Sequence, residues 1–270
     1  MKPPRTGRRS PLITVMTAAV DKAGRKLVRA FGEIETLQVS NKGPSDFVTE
    51  ADHRSERILF EELSKARPNF GFLMEEGGEV EGSDNSNRWI IDPLDGTLNL
   101  LHGLPHFCIS VALERDGEPF AGVIYAPVTD ELFWAEKGQG AFFNGRRLRV
   151  SQRRDIASSL FATGIPFAGR EGHAPFLAQL EQVMAVSAGV RRYGSAALDL
   201  AYVAAGRYEG FWEQGLHAWD MAAGIVLIRE AGGFVTDFDG GSKMLSSGNI
   251  IAGNDIQHRA LKKLLDGAGG

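Results

Sequence analysis

Trp89-Ile90-Ile91-Asp92-Pro93-Leu94-Asp95-Gly96-Thr97 is an apolar run that ends in two carboxylates, a proline, a glycine and a threonine. Trp89 to Ile91 have the continuous apolar character of a buried strand, and Pro93 lacks the N–H that a central ladder needs. The strand is therefore expected to stop near Asp92. Asp92 and Asp95 stand three apart across a turn, so both can face one point, and Gly96 lets the backbone come close to a ligand. Thr97 adds a hydroxyl. A helical turn starting at Asp95 or Gly96 would aim its free N–H groups at an anion bound beside a metal. A plain surface turn suits Asp92 to Thr97 equally well, because Asp, Pro and Gly are the usual turn formers. The rest of the chain has to separate the two readings.

Two further acidic stretches do so. Met74-Glu75-Glu76-Gly77-Gly78 follows the apolar Phe70, Phe72 and Leu73. Trp219-Asp220-Met221-Ala222-Ala223-Gly224 opens an apolar helix with an acid in its first turn, where a simple cap is the commoner use. Upstream, Thr49 and Asp52 have the spacing of a capping box for a helix through Ile58, Leu59 and Leu63 to Arg67-Pro68. In order and spacing these stretches resemble the inositol monophosphatase family of magnesium-dependent, lithium-sensitive phosphatases. The resemblance spans nearly the whole chain. It is strongest from Arg191 to Gly233, where Tyr193-Gly194-Ser195-Ala196-Ala197-Leu198-Asp199-Leu200-Ala201 and the Trp219-Asp220 helix are similar to bacterial SuhB-type members.

The resemblance implies an α/β chain folded as a five-layer α-β-α-β-α sandwich of the sugar-phosphatase type. It implies two Mg²⁺ ions, with a weaker third beside Asp52 and a lysine matching Lys42 near that third ion. Glu75, Asp92 and the Leu94 carbonyl are assigned to the first ion, and Asp92, Asp95 and Asp220 to the second. Four carboxylates at one point repel one another by about 3 kcal/mol per pair at roughly 5 Å and an effective dielectric of about 20. Such a cluster needs cations or shared protons, and hard oxygen ligands without Cys or His favour Mg²⁺ over zinc. Two metals suit phosphate monoester hydrolysis by activating the attacking water and stabilising the leaving alkoxide. Glu75 and Thr97 would orient that water, with Asp95 in the same catalytic set. The N–H groups around Gly96 and Thr97 would bind phosphate, while Gly194, Ser195, Ala196 and Glu213 would meet inositol hydroxyls. The implied substrates are inositol 1-phosphate and related small polyol phosphates, with 3′,5′-bisphosphate nucleotides or histidinol phosphate as the alternatives. Leu98, Leu100 and Met74 depart from the usual family pattern without removing a proposed ligand.

Composition bounds the remaining possibilities. The 270 residues, 43% hydrophobic and 24% charged, are those of an ordinary globular protein, and a net charge of −4 gives no overall attraction to nucleic acid or anionic membranes. Cys108 is the only cysteine, so an intrachain disulfide and a four-cysteine zinc site are excluded. Its apolar neighbours suggest a small core residue, and cysteine usage fits a reducing cytoplasm. Lys2, Arg5, Arg8 and Arg9 ahead of Leu12 to Val20 superficially resemble a signal peptide. Leu12, Val15, Met16, Ala19, Ala23 and Leu27 recur at helical spacing, however, which predicts an amphipathic domain helix preceded by a disordered tail before Pro11. No apolar run approaches the roughly 20 residues of a membrane span.

Beyond Phe107 the pattern becomes strands at Ile109 to Leu113, Phe120 to Tyr125, Glu131 to Ala135 and Ala141 to Val150, the last folded at Asn144-Gly145, a type I′ hairpin signal. Arg146, Arg147, Arg149, Arg153 and Arg154 read as a strand's solvated face rather than a nucleic-acid patch. After Gln152, strands and helices alternate. The helix from Trp219 to Ala231 is apolar nearly all round and should lie between layers. Asp255 is expected to cap the last helix. The change near residue 150 suggests residues 1–150 as an N-terminal lobe with an antiparallel sheet and most metal ligands, and 151–270 as a C-terminal α/β lobe with the substrate residues and Asp220. His102, His106 and His217 flank the motifs without ligand spacing. The resemblance also implies a homodimer, and SuhB-type proteins are implicated in binding RNA polymerase with antitermination factors. Arg5, Arg8, Arg9 and the arginines from Arg146 to Arg154 are the basic clusters available for such a role.

Overall fold

The structure is a computed structural model that describes residues 8–33, 39–43, 46–167 and 169–268. Helices α1 (Pro11–Gly32) and α2 (Glu50–Ala66) form one outer layer. Ser10 caps α1, its Oγ accepting from Ile13 N at 3.1 Å and donating to Glu136. Arg8 to Ser10 are thus part of the folded domain rather than a tail, because an uncapped helix would leave its first N–H groups unpaired. Arg5 lies outside the described residues, as does the side chain of Lys42. The expected capping box opens α2: Thr49 accepts from Ala51 N and Asp52 N, and Asp52 accepts from Thr49 N. A two-stranded ribbon, β1 (Val39–Gly43) with β2 (Asp46–Thr49), precedes this helix.

The first large sheet comprises β3 (Phe70–Met74), β4 (Gly78–Val80), β5 (Asp84–Asp95), β6 (Cys108–Arg115), β7 (Glu118–Ala126), β8 (Glu131–Glu136), β9 (Gly140–Phe143) and β10 (Arg146–Arg147). Its order is β10-β9-β8-β7-β6-β5-β3-β4, antiparallel except where β3 runs parallel to β5. Side chains alternate across it. Trp89, Ile91, Ile109, Val111, Leu113 and Val123 pack against the α1 and α2 layer, and Ile90, Ala112 and Ile124 face the interior of the molecule. The Asn144-Gly145 hairpin forms with φ of 44° and 80°, as a type I′ turn requires. Past it, only Arg146 and Arg147 pair as strand; Leu148 and Val150 are buried by other contacts, and Val150 N bonds Ala231 O.

Strand β5 does not stop at Asp92. Its pairing with β6 runs from Asp92↔Ser110 to Asp95↔Cys108, so three steps on β5 face two on β6. The extra residue makes a bulge, which takes Pro93 out of the ladder where its missing N–H costs nothing. The short helix α3 (Thr97–Leu101) follows directly.

The second sheet has the order β12 (Gly189–Arg191), β11 (Leu160–Thr163), β13 (Gly210–Glu213), β15 (Ile250–Gly253), β14 (Phe234–Thr236). Helices α5 (Ala196–Ala204) and α6 (Ala218–Glu230) lie between the two sheets, and α6 is buried continuously from Met221 to Ile228. A Cβ on Gly122 of β7 would come within 2.7 Å of Ala223 Cα, so this glycine sets how closely α6 lies on the first sheet. Phe161, Trp212 and Ile251 face outward onto the last layer, α4 (His173–Met184) and α8 (Asp255–Gly267). The layers are therefore α-β-α-β-α. The cap of α8 is Asn254 rather than Asp255: Asn254 has extended backbone and its Oδ1 accepts from Gln257 N at 2.9 Å, leaving Asp255 inside the first turn. A four-residue turn, α7 (Met244–Ser247), precedes β15.

Strands β12, β11 and β13 are parallel, and the chain leaves β11 through α4 on the outer face but leaves β12 through α5 on the inner one. Neighbouring strands whose connections depart to opposite faces leave a crevice at their carboxyl ends.

Candidate active site

The bulge in β5 puts its acids where the crevice opens. Asp92 is buried and its Oδ1 accepts from Leu94 N at 2.9 Å, which holds the bulge in shape. Asp95 ends the bulge and reaches the second half of the chain. Its Oδ2 accepts from Ser195 Oγ at 2.7 Å and from Ala197 N at 2.7 Å, so a carboxylate from the first sheet caps α5. Asp220 stands in the first turn of α6 and accepts from His217 N at 2.6 Å. One carboxylate oxygen from each of Asp92, Asp95 and Asp220 lies within 4.8 Å of the other two.

Three anions so close and so poorly hydrated resist ionisation. Burial, then the charges of Glu75, Asp95 and Asp220, push the Asp92 carboxyl well up. Burial holds Asp95 at about 6 against the opposing hydrogen bonds from Ser195 and Ala197. Burial and then Asp95 raise Asp220 to about 7. A set of hard oxygens that can be fully ionised only at such cost suits divalent cations of the Mg²⁺ kind. Glu75 is outside the close triad, yet its charge reaches Asp92, and its N–H bonds Ile91 O across the β3–β5 pair at 3.2 Å.

Beside the triad, Thr97 Oγ1 lies 2.9 Å from Asp52 Oδ1 and 3.0 Å from the Leu94 carbonyl. Asp52 is buried and its carboxyl is raised by burial, although the bonds from Thr49 and Thr97 oppose that. The capping-box partner of Thr49 thus also meets the Thr97 corner. Gly96 has φ of 99°, and a Cβ there would meet His106 O at 3.0 Å, so this left-handed, crowded position needs glycine.

A cavity of about 930 Å³ is lined by Asp95, Asp220, Gly194, Ser195, Ala196 and Glu213. Burial, followed by Asp220 and Asp95, raises Glu213 to about 8, while Arg192 and Arg170 pull the other way. Gly194 is left-handed with φ of 82°, and the Ser195 side chain is buried with its hydroxyl on Asp95. His106 is partly buried and its Nε2 has no hydrogen-bond partner; burial lowers its imidazole. His217 stacks on Trp219, and His102 is exposed.

Three residues lie at this site to which the sequence assigned no role in it. Gly164 abuts Glu213 so closely that a Cβ would fall 1.8 Å from Glu213 Oε1. Its place immediately after an apolar strand and two before Pro166 is the local cue that could have found it. Asp199 lines the same cavity, buried, its Oδ1 unpartnered and its carboxyl pushed well up by burial and by Glu213. Cys108 is buried as expected, and its Sγ lies 3.7 Å from Ser195 Oγ and 3.9 Å from Asp95 Oδ2, beside the acidic triad.

The sequence profile of the inositol monophosphatase family matches residues 8–267. Inositol-1-monophosphatase of Mesorhizobium japonicum is 60% identical over 255 residues, covering 94% of this chain and 96% of that relative. Nus factor SuhB of Escherichia coli K12 is 43% identical over 255 residues, covering 94% of each. The crystal structure of extragenic suppressor protein suhB from Bartonella henselae superposes with a TM-score of 0.93 at 57% identity, covering 95% of this chain and 98% of that one. An acidic triad at the carboxyl edge of a two-sheet sandwich, matched from end to end in sequence and in fold, places this chain in the inositol monophosphatase family.

Proposed function

We propose that this chain is a Mg²⁺-dependent inositol-1-monophosphatase that hydrolyses inositol 1-phosphate and related small polyol phosphates to alcohol and phosphate. The observation that carries the reading is the convergence of Asp92, Asp95 and Asp220 beside a cleft that Asp95, Asp220 and Glu213 line. Glu75, Asp92, the Leu94 carbonyl, Asp95 and Asp220 would hold two ions, and Asp52 a third. The bound ions would supply charge stabilisation and activation for an in-line displacement at phosphorus. Thr97, already fixed between Asp52 and the Leu94 carbonyl, positions a water at the corner together with Glu75. The N–H groups at Gly96 and Thr97 bind phosphate oxygens. Gly194, Ser195 and Ala196 present backbone to the polyol, and Glu213 presents its carboxyl to the hydroxyls. Residues 1–150 would supply most of the metal ligands, and 151–270 the polyol contacts and Asp220.

A substrate panel at about millimolar Mg²⁺ tests this. Faster release of phosphate from inositol 1-phosphate than from histidinol phosphate or a 3′,5′-bisphosphate nucleotide is expected; preference for either of those would replace the substrate assignment. Asp95→Asn should lose most turnover while remaining folded. Lithium inhibition, a homodimer and a cytoplasmic location belong to the same reading. Among the described residues no helix is long and apolar enough to cross a membrane.

The 43% identity to Nus factor SuhB supports a second reading, binding to RNA polymerase or an antitermination complex. Arg8, Arg9, Arg146, Arg147, Arg149, Arg153 and Arg154 are exposed and far in sequence from the acidic triad. Asp95→Asn protein should still bind such a complex, and failure of the wild type to bind at low salt would end this reading.

A further inference from the structure

Asn99 lies one turn past the metal corner, on α3, and its side chain reaches into the other half of the chain. Its Nδ2 is 2.6 Å from His106 O, 2.8 Å from Tyr193 O and 3.4 Å from Gly194 O. A primary amide carries two N–H donors, so both are absorbed by carbonyls of two separate segments. One segment closes behind Gly96 and the other is the turn ahead of α5. Asn99 is buried, so water does not replace a bond that is lost.

That same turn is gripped at its far end by Asp95, through Ser195 Oγ and Ala197 N. Its carbonyl oxygens are therefore fixed by Asn99 and its donors by Asp95, four residues apart on one corner. We propose that Asn99 is a positioning residue that sets the Tyr193–Ala196 turn, and with it the polyol contacts, against the metal corner. The inference rests on the polyol-phosphatase reading for its substrate consequence. Its direction follows from the bond partners: two of the three carbonyls belong to the polyol turn and none to Asp95, Gly96 or Thr97. An amide is required, because a carboxylate at this place would set oxygen against three carbonyl oxygens.

The test uses Asn99→Ala and Asn99→Gln with two substrates, inositol 1-phosphate and phenyl phosphate, the second having no polyol hydroxyls. For Asn99→Ala, kcat/KM on inositol 1-phosphate should fall about tenfold or more, mainly through KM, and stay within about threefold of wild type on phenyl phosphate. Asn99→Gln, which keeps the amide, should recover part of the loss. The Mg²⁺-induced rise in melting temperature should be the same in all three proteins. Equal losses on both substrates, or no loss on either, overturn the proposal. If the wild type does not hydrolyse inositol 1-phosphate, the functional reading fails, and hydrogen exchange then decides on Asn99 independently. The Ala197 amide should exchange about tenfold faster in Asn99→Ala while α6 is unchanged, and unchanged Ala197 exchange overturns the positioning role.

Discussion

Asp220→Asn should stabilise the metal-free protein at high pH and leave it unchanged at low pH. Burial and then the Asp95 charge push the Asp220 carboxyl up to about 7 from 3.8. Because the folded value lies above the unfolded one, the fold favours the protonated form. That contribution is complete below the unfolded value and is lost as pH rises through 7. Three pH units at about 1.4 kcal/mol each set an upper bound of roughly 4 kcal/mol. Coulomb's law gives a similar figure, about 3.5 kcal/mol for an ionised pair near 4.8 Å at an effective dielectric of about 20. The first figure contains burial as well as the repulsion that the second describes, so the two overlap and are not summed. Asparagine is neutral, nearly the same size, and keeps an oxygen for the His217 N–H. In chelator, variant and wild type should melt together near about pH 3, below the unfolded value, and the variant should melt up to about 8–16 °C higher near pH 8.5, taking roughly 2–4 °C per kcal/mol for a chain of this size. With Mg²⁺ at the higher pH, the wild type should gain more than the variant. Equal melting differences at both pH values, or equal Mg²⁺ shifts, would refute the carboxylate crowding from which these numbers come.

Gly164→Ala should raise KM for inositol 1-phosphate with little effect on phenyl phosphate, since the new methyl occupies the space of the Glu213 carboxylate; steady-state kinetics on the two esters reads this directly. Ser195→Ala removes a buried donor from Asp95 and should cost about 1–3 kcal/mol in urea unfolding of the metal-free protein above about pH 6, where Asp95 is ionised and accepts a charge-assisted bond, and less below it. Gly122→Ala should destabilise by about 1–3 kcal/mol through the 2.7 Å approach to Ala223 Cα, and a denaturation midpoint equal to wild type would show that α6 shifts freely on the sheet.

What the sequence made legible was what neighbouring residues decide. Asp92 and Asp95 sit three apart after an apolar run, and Thr49 and Asp52 form a capping box within one turn, so a local pattern sufficed for both. The bulge at Pro93 escaped that reading because it exists only against the Ser110 and Cys108 register of β6. Asn254 and Asp255 are both able to cap, and the choice fell to whichever adopted extended backbone. Asn99 was invisible for a stronger reason: its decisive partners, Tyr193 and Gly194, are 94 and 95 residues away. One long-range feature was nonetheless readable. A helix apolar on every side, from Met221 to Ile228, has no face to offer water and must be covered all round. In a chain rich in strands, two sheets supply that cover, as they do here. The acid in the first turn of such a helix then has to emerge at the edge where the two sheets meet, and Asp220 does so within 4.8 Å of acids that end a strand of the first sheet. The burial of α6 and the convergence of Asp220 on Asp92 and Asp95 are thus one physical fact, and changing the depth at which α6 lies, at Gly122, should move the acidic triad along with the core.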